Sequence, residues 1–185
     1  MRSHIQSILL ASFAACAMSC ASSSKSTTDE SASAHAHSTA VAGAPCVMQS
    51  AGKSILHLTI PDPGNAKCTV KDGFLYITSH YHNIEIWYVP DAHTIDQGVS
   101  HIATQITSEF TDFKATKASS LTVAGEPATR VTGTGEEADD GDPGTADVIV
   151  FQVANRIFIA CTHGEDLDPK AQELLGALVM TAKAP

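Results

Sequence analysis

Two histidines stand two residues apart in "ITSHYHNIEIWY", His80 and His82, between two apolar runs. In a β-strand residues i and i+2 face the same side, so a His-x-His pair can present two imidazole nitrogens to one metal ion. Zinc sites take more protein ligands than two, whether structural or catalytic, so the pair by itself is an incomplete set. His57, His93, His101 and His163 are further imidazoles, and no spacing among them dictates convergence. The flanking runs "FLYITS" and "NIEIWYV" read as the strands of a hairpin, which puts "HYHN" at the turn, where same-face geometry no longer holds. His80 and His82 are therefore the expected ligands if the chain binds a metal, and otherwise the polar tip of a hairpin.

The other residues with chemical capacity fall into two groups. "GTGEEADDGDPGTAD" packs Glu136, Glu137, Asp139, Asp140, Asp142 and Asp147 into a stretch that reads as one Gly/Pro-rich loop. Calcium takes about six to eight oxygens, but the spacing departs from D-x-[DN]-x-[DN]-G, so a solvated loop between strands is the expectation. The cysteines are Cys16, Cys20, Cys46, Cys68 and Cys161. Cys46 and Cys68 lie on either side of the first clear strand and can close a loop by a disulfide; Cys161, inside "IFIACT", reads as a small buried hydrophobe. With three cysteines beyond the N-terminal region at least one stays unpaired, and the sequence does not choose which. There is no C-x-x-C, G-x-S-x-G or S-x-x-K and no phosphate-cradling glycine loop, so no catalytic residue and no cofactor are expected.

The N-terminus reads as an export signal over residues 1–19: Arg2, an apolar region from Ile5, then small residues. "AMSC", Ala17 to Cys20, resembles the lipobox of bacterial lipoproteins, in which a cysteine is acylated and becomes the new N-terminus. Ala17 stands where leucine is usual, and "FAAC" at Cys16 is a second candidate. Ordinary cleavage after "ACA" is the alternative, and would leave a soluble secreted protein. Residues 20–48 are rich in Ser, Ala and Thr without hydrophobic periodicity, and read as a flexible tether. Its first ~25 residues span roughly 25–30 Å as a random coil. His35 and His37, a second His-x-His, lie in it with nothing to hold them.

One globular domain is expected over 49–185. "SILHLTIP" alternates as a strand ended by Pro61. "TIDQGVSHIATQITSEF" reads as a helix, with Ile95, Val99, Ile102 and Ile106 on one face and Thr94 with Gln97 as a capping box. "FKATKASSLTVAG" and "EPATRVTG" read as strands joined near Gly125. "ADVIVFQVANRIFIACTHG" reads as a hairpin turning at "AN", its strands apolar on both faces and so covered on both sides. "DPKAQELLGALVMTAK" reads as a helix with Asp168 as N-cap and Pro169 at its first position. The fold class is α+β: an antiparallel sheet of about six to seven strands flanked by helices.

This order of elements, with "LTIP" closing the first strand and the Gly125-x-Pro127-Ala128 turn in "LTVAGEPATRVTG", resembles the PsbP-like family. The resemblance implies an α/β/α sandwich and members that act mostly by binding other proteins, and it carries over no catalytic residue. The net charge of −9, from 20 acids against 11 bases, and the lack of a basic patch in the sequence argue against a nucleic-acid partner, whose binding rests on clustered Lys and Arg. The expectation is thus a membrane-tethered binding module with a protein partner, lipidated at Cys20 and facing the periplasm or the cell exterior. In a cell with two membranes, Ala21 in place of an inner-membrane-retaining Asp favours the outer membrane. The alternative is an envelope metal-binding protein built around His80 and His82.

Overall fold

Nine strands and two helices organise the described residues of this computed structural model, which are 43–61, 66–79, 83–107 and 109–185. They belong to the second of two units, Thr39–Pro185. Strands β1 (Ala44–Ser50) and β2 (Lys53–Ile60) form an antiparallel ribbon. Strands β3 (Lys67–Lys71), β4 (Phe74–Thr78) and β5 (Asn83–Val89) lead to helix α1 (Ile95–Gln105). Then follow β6 (Phe110–Val123), β7 (Glu126–Glu137), β8 (Pro143–Val153), β9 (Arg156–Gly164) and helix α2 (Pro169–Val179). The seven strands from β3 onward make one antiparallel sheet in the order β3-β4-β5-β9-β8-β7-β6. The architecture is the α+β fold anticipated above.

Two-residue turns set the hairpins. At Ala124–Gly125 φ is 53° and 85°, and at Ala154–Asn155 it is 50° and 61°. Positive φ at both central residues gives the turn whose twist matches that of the strands it joins. The β8–β9 hairpin then lies at the middle of the sheet and is buried on both faces. On one face Val148, Val150, Ile157, Ile159 and Cys161 meet Ile102 of α1, with Ile106 and Phe110 just beyond it. On the other, Ile149, Phe151, Phe158 and Ala160 meet Leu175, Leu178 and Val179 of α2 and Met48, Leu56 and Leu58 of the ribbon. Helix α1 begins with the expected capping box: Gln97 N–H donates to Thr94 Oγ1 at 3.2 Å, and Thr94 N–H donates to Gln97 Oε1 at 3.1 Å. It approaches the sheet at Gly98, where a Cβ would stand 2.5 Å from Val150 Cγ1. Ile95 and Val99 consequently flank the contact, partly buried.

Several expectations need correction. The tether expected over 20–48 is interrupted, because β1 starts at Ala44 and buries Cys46 and Met48, so the folded part begins before Gln49. α1 stops at Gln105 rather than running to Phe110; Phe110 opens β6. Strand β3 was not anticipated, since "KCTVK" is a short, exposed edge. The acidic stretch is mostly strand, β7 reaching Glu137 and β8 starting at Pro143, with only residues 138–142 between them. Residues 1–42, with the expected export signal, Cys16, Cys20, His35 and His37, lie outside the described residues, as do His80 and His82. No described helix is long and apolar enough to cross a membrane.

Two links stiffen this framework. Cys46 of β1 and Cys68 of β3 are joined by a disulfide, their Cα atoms 6.1 Å apart, while Cys161 is a free, buried thiol. Asp147, fully buried in β8, accepts from Arg130 of β7, whose Nε stands 2.8 Å from Oδ1 and whose Nη2 bonds Oδ2. Nη2 also donates to the Gln172 carbonyl of α2 at 3.3 Å, so the pair ties the sheet to that helix.

Candidate functional site

On the α1 side of the sheet, the side chains of β3, β4 and β5 form a partly open strip. Alternation places Thr69, Lys71, Phe74, Tyr76, Glu85 and Trp87 on this side, while Leu75, Ile77, Ile84 and Ile86 point into the core beneath. Phe74 lies against Tyr76 and Trp87, with ring centroids 6.4 and 5.7 Å away, and the Lys71 ammonium stands 5.9 Å from the Phe74 ring. Thr69, Lys71, Phe74, Tyr76 and Glu85 line a cavity of about 300 Å³.

Glu85 also belongs to a second arrangement. One ligand atom each from Glu85, Glu109 and His163 lie within 4.8 Å of one another, all three side chains being half-buried. Three separate elements deliver them. Glu85 sits in β5 opposite Cys161 of β9, and His163 is two residues further on the same face, a diagonal neighbour. Glu109 comes from the turn after α1. There the Glu109 and Phe110 N–H groups both donate to the Ile106 carbonyl, at 3.0 and 2.8 Å, and the Glu109 carbonyl accepts from Ala138 at 2.9 Å. His163 Nε2 stands 3.2 Å from Glu109 Oε2. Its ring meets Phe110 edge-on at 5.6 Å, and Phe110 is seated over Gly135 and Gly144, where a Cβ would lie 2.9 and 2.7 Å from that ring.

The electrostatics follow from two carboxylates sharing a half-buried place. Burial pushes Glu85 from its usual 4.5 up to about 7; the neighbouring Glu109 charge adds to the rise and Lys71 opposes it. Tyr76 is raised by burial and then by the same two carboxylates. Cys161 is pushed well up, first by burial and then by Glu85, Asp147 and Glu109, which keeps it a neutral thiol and a poor nucleophile.

Glu85 should therefore weaken the fold at neutral pH. Between pH 4.5 and about 7 the unfolded chain ionises Glu85 while the folded chain holds its proton, so stability falls as pH rises through that window and stays reduced above it. Glu85→Gln has no such cost. In the presence of a chelator it is expected to stabilise the protein by about 1–2 kcal/mol at pH 8, a figure already reduced for the part of the carboxylate that water reaches. The gain should vanish near pH 4.5. Urea titrations at both pH values check this, and an equal effect at each would contradict it.

Of the candidate ligands named from the sequence, His57 falls in β2, His93 ahead of α1, His101 within α1 and His163 in β9. Among the described residues only His163 joins a mixed cluster with acids. Its partners are Glu85 and Glu109, neither of which stands out in the sequence as a ligand. Glu137, Asp139 and Asp140 also approach one another, but at an exposed turn where Asp140 Oδ1 accepts from Asp142 N–H at 3.0 Å.

No family model and no curated protein matches the chain. Among solved structures it is similar to a protein of Bacteroides thetaiotaomicron VPI-5482, at 11% identity and TM-score 0.48. That match covers 70% of this chain and 45% of the other, so the chain spans less than half of that protein. It is similar to LpqN of Mycobacterium tuberculosis, involved in cell envelope biogenesis, at 13% identity and TM-score 0.42, covering 77% of this chain and 90% of that one. It is also similar to the type VI secretion immunity protein TplEi of Pseudomonas aeruginosa, at 14% identity and TM-score 0.37, covering 60% of this chain and 43% of that one.

Proposed function

We propose that the chain is a non-enzymatic binding module of a bacterial envelope, anchored through a lipid on Cys20 and, where the cell has two membranes, facing the periplasm from the outer one. The observation that carries this reading is "AMSC" at the end of an apolar signal, followed by a Ser/Ala/Thr-rich stretch that suits a tether. The fold adds a surface for a ligand: the strip of Lys71, Phe74, Tyr76 and Trp87, where aromatic side chains supply contact area and Lys71 and Glu85 supply polarity. A protein partner suits this surface better than a nucleic acid, given the net charge of −9. The buried, protonated Cys161 offers no nucleophile, in keeping with a binding role. Membership of the PsbP-like proteins is part of the proposal and rests on the order of elements.

Cys20→Ser is expected to move the full chain from the membrane pellet to the soluble fraction and to abolish palmitate labelling. After cross-linking in the cell, the wild-type chain should recover a specific protein that a Lys71→Glu/Tyr76→Ala variant does not. A Cys20→Ser chain that stays in the pellet sinks the lipid anchor. Failure to recover any specific protein across growth conditions sinks the binding module.

A further inference from the structure

We propose that Glu85, Glu109 and His163 form a binding site for one divalent transition cation, of which Zn²⁺ is the probe. The donors are two carboxylates and an imidazole, a set suited to zinc, manganese or ferrous ions; calcium prefers a larger all-oxygen shell. Ligands held about 2.1 Å from a tetrahedral ion stand about 3.4 Å apart. His163 Nε2 and Glu109 Oε2 are already 3.2 Å apart, and all three donor atoms lie within 4.8 Å of each other, so a small side-chain rotation of Glu85 completes the set.

The surroundings favour a held ion over a chance cluster. Two donors come from the paired strands β5 and β9, and the third, Glu109, has its own N–H bonded to the Ile106 carbonyl and its carbonyl to Ala138 N–H, so backbone hydrogen bonds hold each of them. Phe110, locked over Gly135 and Gly144, holds the His163 ring from one side. A divalent cation would bind both carboxyl groups in their ionised form and offset their mutual repulsion. Glu85 belongs both to the donor set and to the cavity lined by Thr69, Lys71, Phe74 and Tyr76. A partner seated in that cavity would therefore stand beside the ion, within reach of a group that could join its coordination. This deepens the reading of the strip as the working surface and rests on it.

The test uses the full chain with His35, His37, His80 and His82 all changed to alanine, so that the His-x-His pairs cannot supply the signal. Zn²⁺ followed by calorimetry is expected to bind one ion per chain, to raise the melting temperature, and to resist displacement by Ca²⁺. Glu109→Gln and His163→Gln, introduced separately, should each weaken binding at least about a hundredfold, since loss of even an outer partner of a ligand costs about 10–100-fold. Each should also abolish the zinc-dependent rise in melting temperature. Restoring a donor by His163→Asp should recover part of the affinity. Absence of 1:1 binding in the four-alanine chain, or binding unchanged by both single substitutions, overturns the site. The parental four-alanine chain decides the first point even where a substituted one fails to fold. Zinc binding with no protein recovered by cross-linking would leave the site standing and remove the binding module, so the two proposals fail separately.

Discussion

Arg130→Met is expected to destabilise the protein by about 3–5 kcal/mol, among the largest effects available to a single substitution in it. Asp147 has no exposed surface, and its two carboxylate oxygens are served by Arg130: Nε stands 2.8 Å from Oδ1 and 3.0 Å from Oδ2, and Nη2 bonds Oδ2. Removing the guanidinium leaves a buried carboxylate without its cation, and the cost of that uncompensated charge dominates the loss. Arg130 is itself partly exposed, 35% by side-chain surface, so it pays little for its own burial. The asymmetry has a consequence: replacing both members with apolar side chains should cost far less than replacing Arg130 alone. Arg130→Met/Asp147→Leu is expected to recover most of the stability, because no charge is then left in the core. Urea midpoints of the two single variants and the double variant make a complete cycle. A loss below about 1 kcal/mol for Arg130→Met would mean that water reaches Asp147 and that the pair behaves as a surface one.

Asp147 groups by composition with the acids of a Gly-rich stretch, although it is the one charged side chain in β8. Glu85 likewise is the one charged side chain in β5. An isolated acid among apolar strand residues is a readable sign of a paired or functional carboxylate, but its partner depends on strand register and on what crosses the sheet. Glu109 and His163 meet Glu85 only because β5 pairs with β9 and because the chain reverses after α1.

What was legible had a local cause. β8 and β9 are covered on both faces, so their sequences are continuously apolar, and α1 announces its start through Thr94 and Gln97. The misreadings also had physical causes. Ile102, Ile106 and Phe110 keep a four-residue spacing past the true helix end, because Phe110 is needed over Gly135 and Gly144. Those glycines, and Gly133 beneath Phe113, suggest a loop by composition while serving as seats for aromatic rings within strands. β1 carries only a short apolar core, "CVM", behind a stretch that looks like linker, and it is held by pairing with β2 and by covalent attachment to β3.

Reduction of the Cys46–Cys68 disulfide is expected to lower stability by about 3 kcal/mol, the loop-entropy value for cysteines separated by 22 residues. Reduction isolates the crosslink better than substitution does, because Cys46 is buried and Cys46→Ala would add a cavity. The loss should be uneven. A two-stranded ribbon has little stability of its own, and β1–β2 relies on burying Met48, Leu56, Leu58 and Ile60 against the sheet. At the side where the disulfide acts, the ribbon is otherwise joined to the strand edge by few hydrogen bonds. Gly73 N–H donates to the Gln49 carbonyl at 2.7 Å, and Ala51 N–H donates to Asp72 Oδ1 at 2.7 Å. Amide exchange after reduction should therefore accelerate most in β1, β2 and β3, while β8 and β9 follow the global stability alone. Thiol labelling gives an independent check. Cys46 and Cys68 should react as the ribbon opens locally. Cys161, buried and held protonated, should react only when the whole domain unfolds. If all three thiols are labelled at one rate, the ribbon and sheet open as a single unit, and the disulfide stabilises the domain as a whole rather than the attachment of its ribbon.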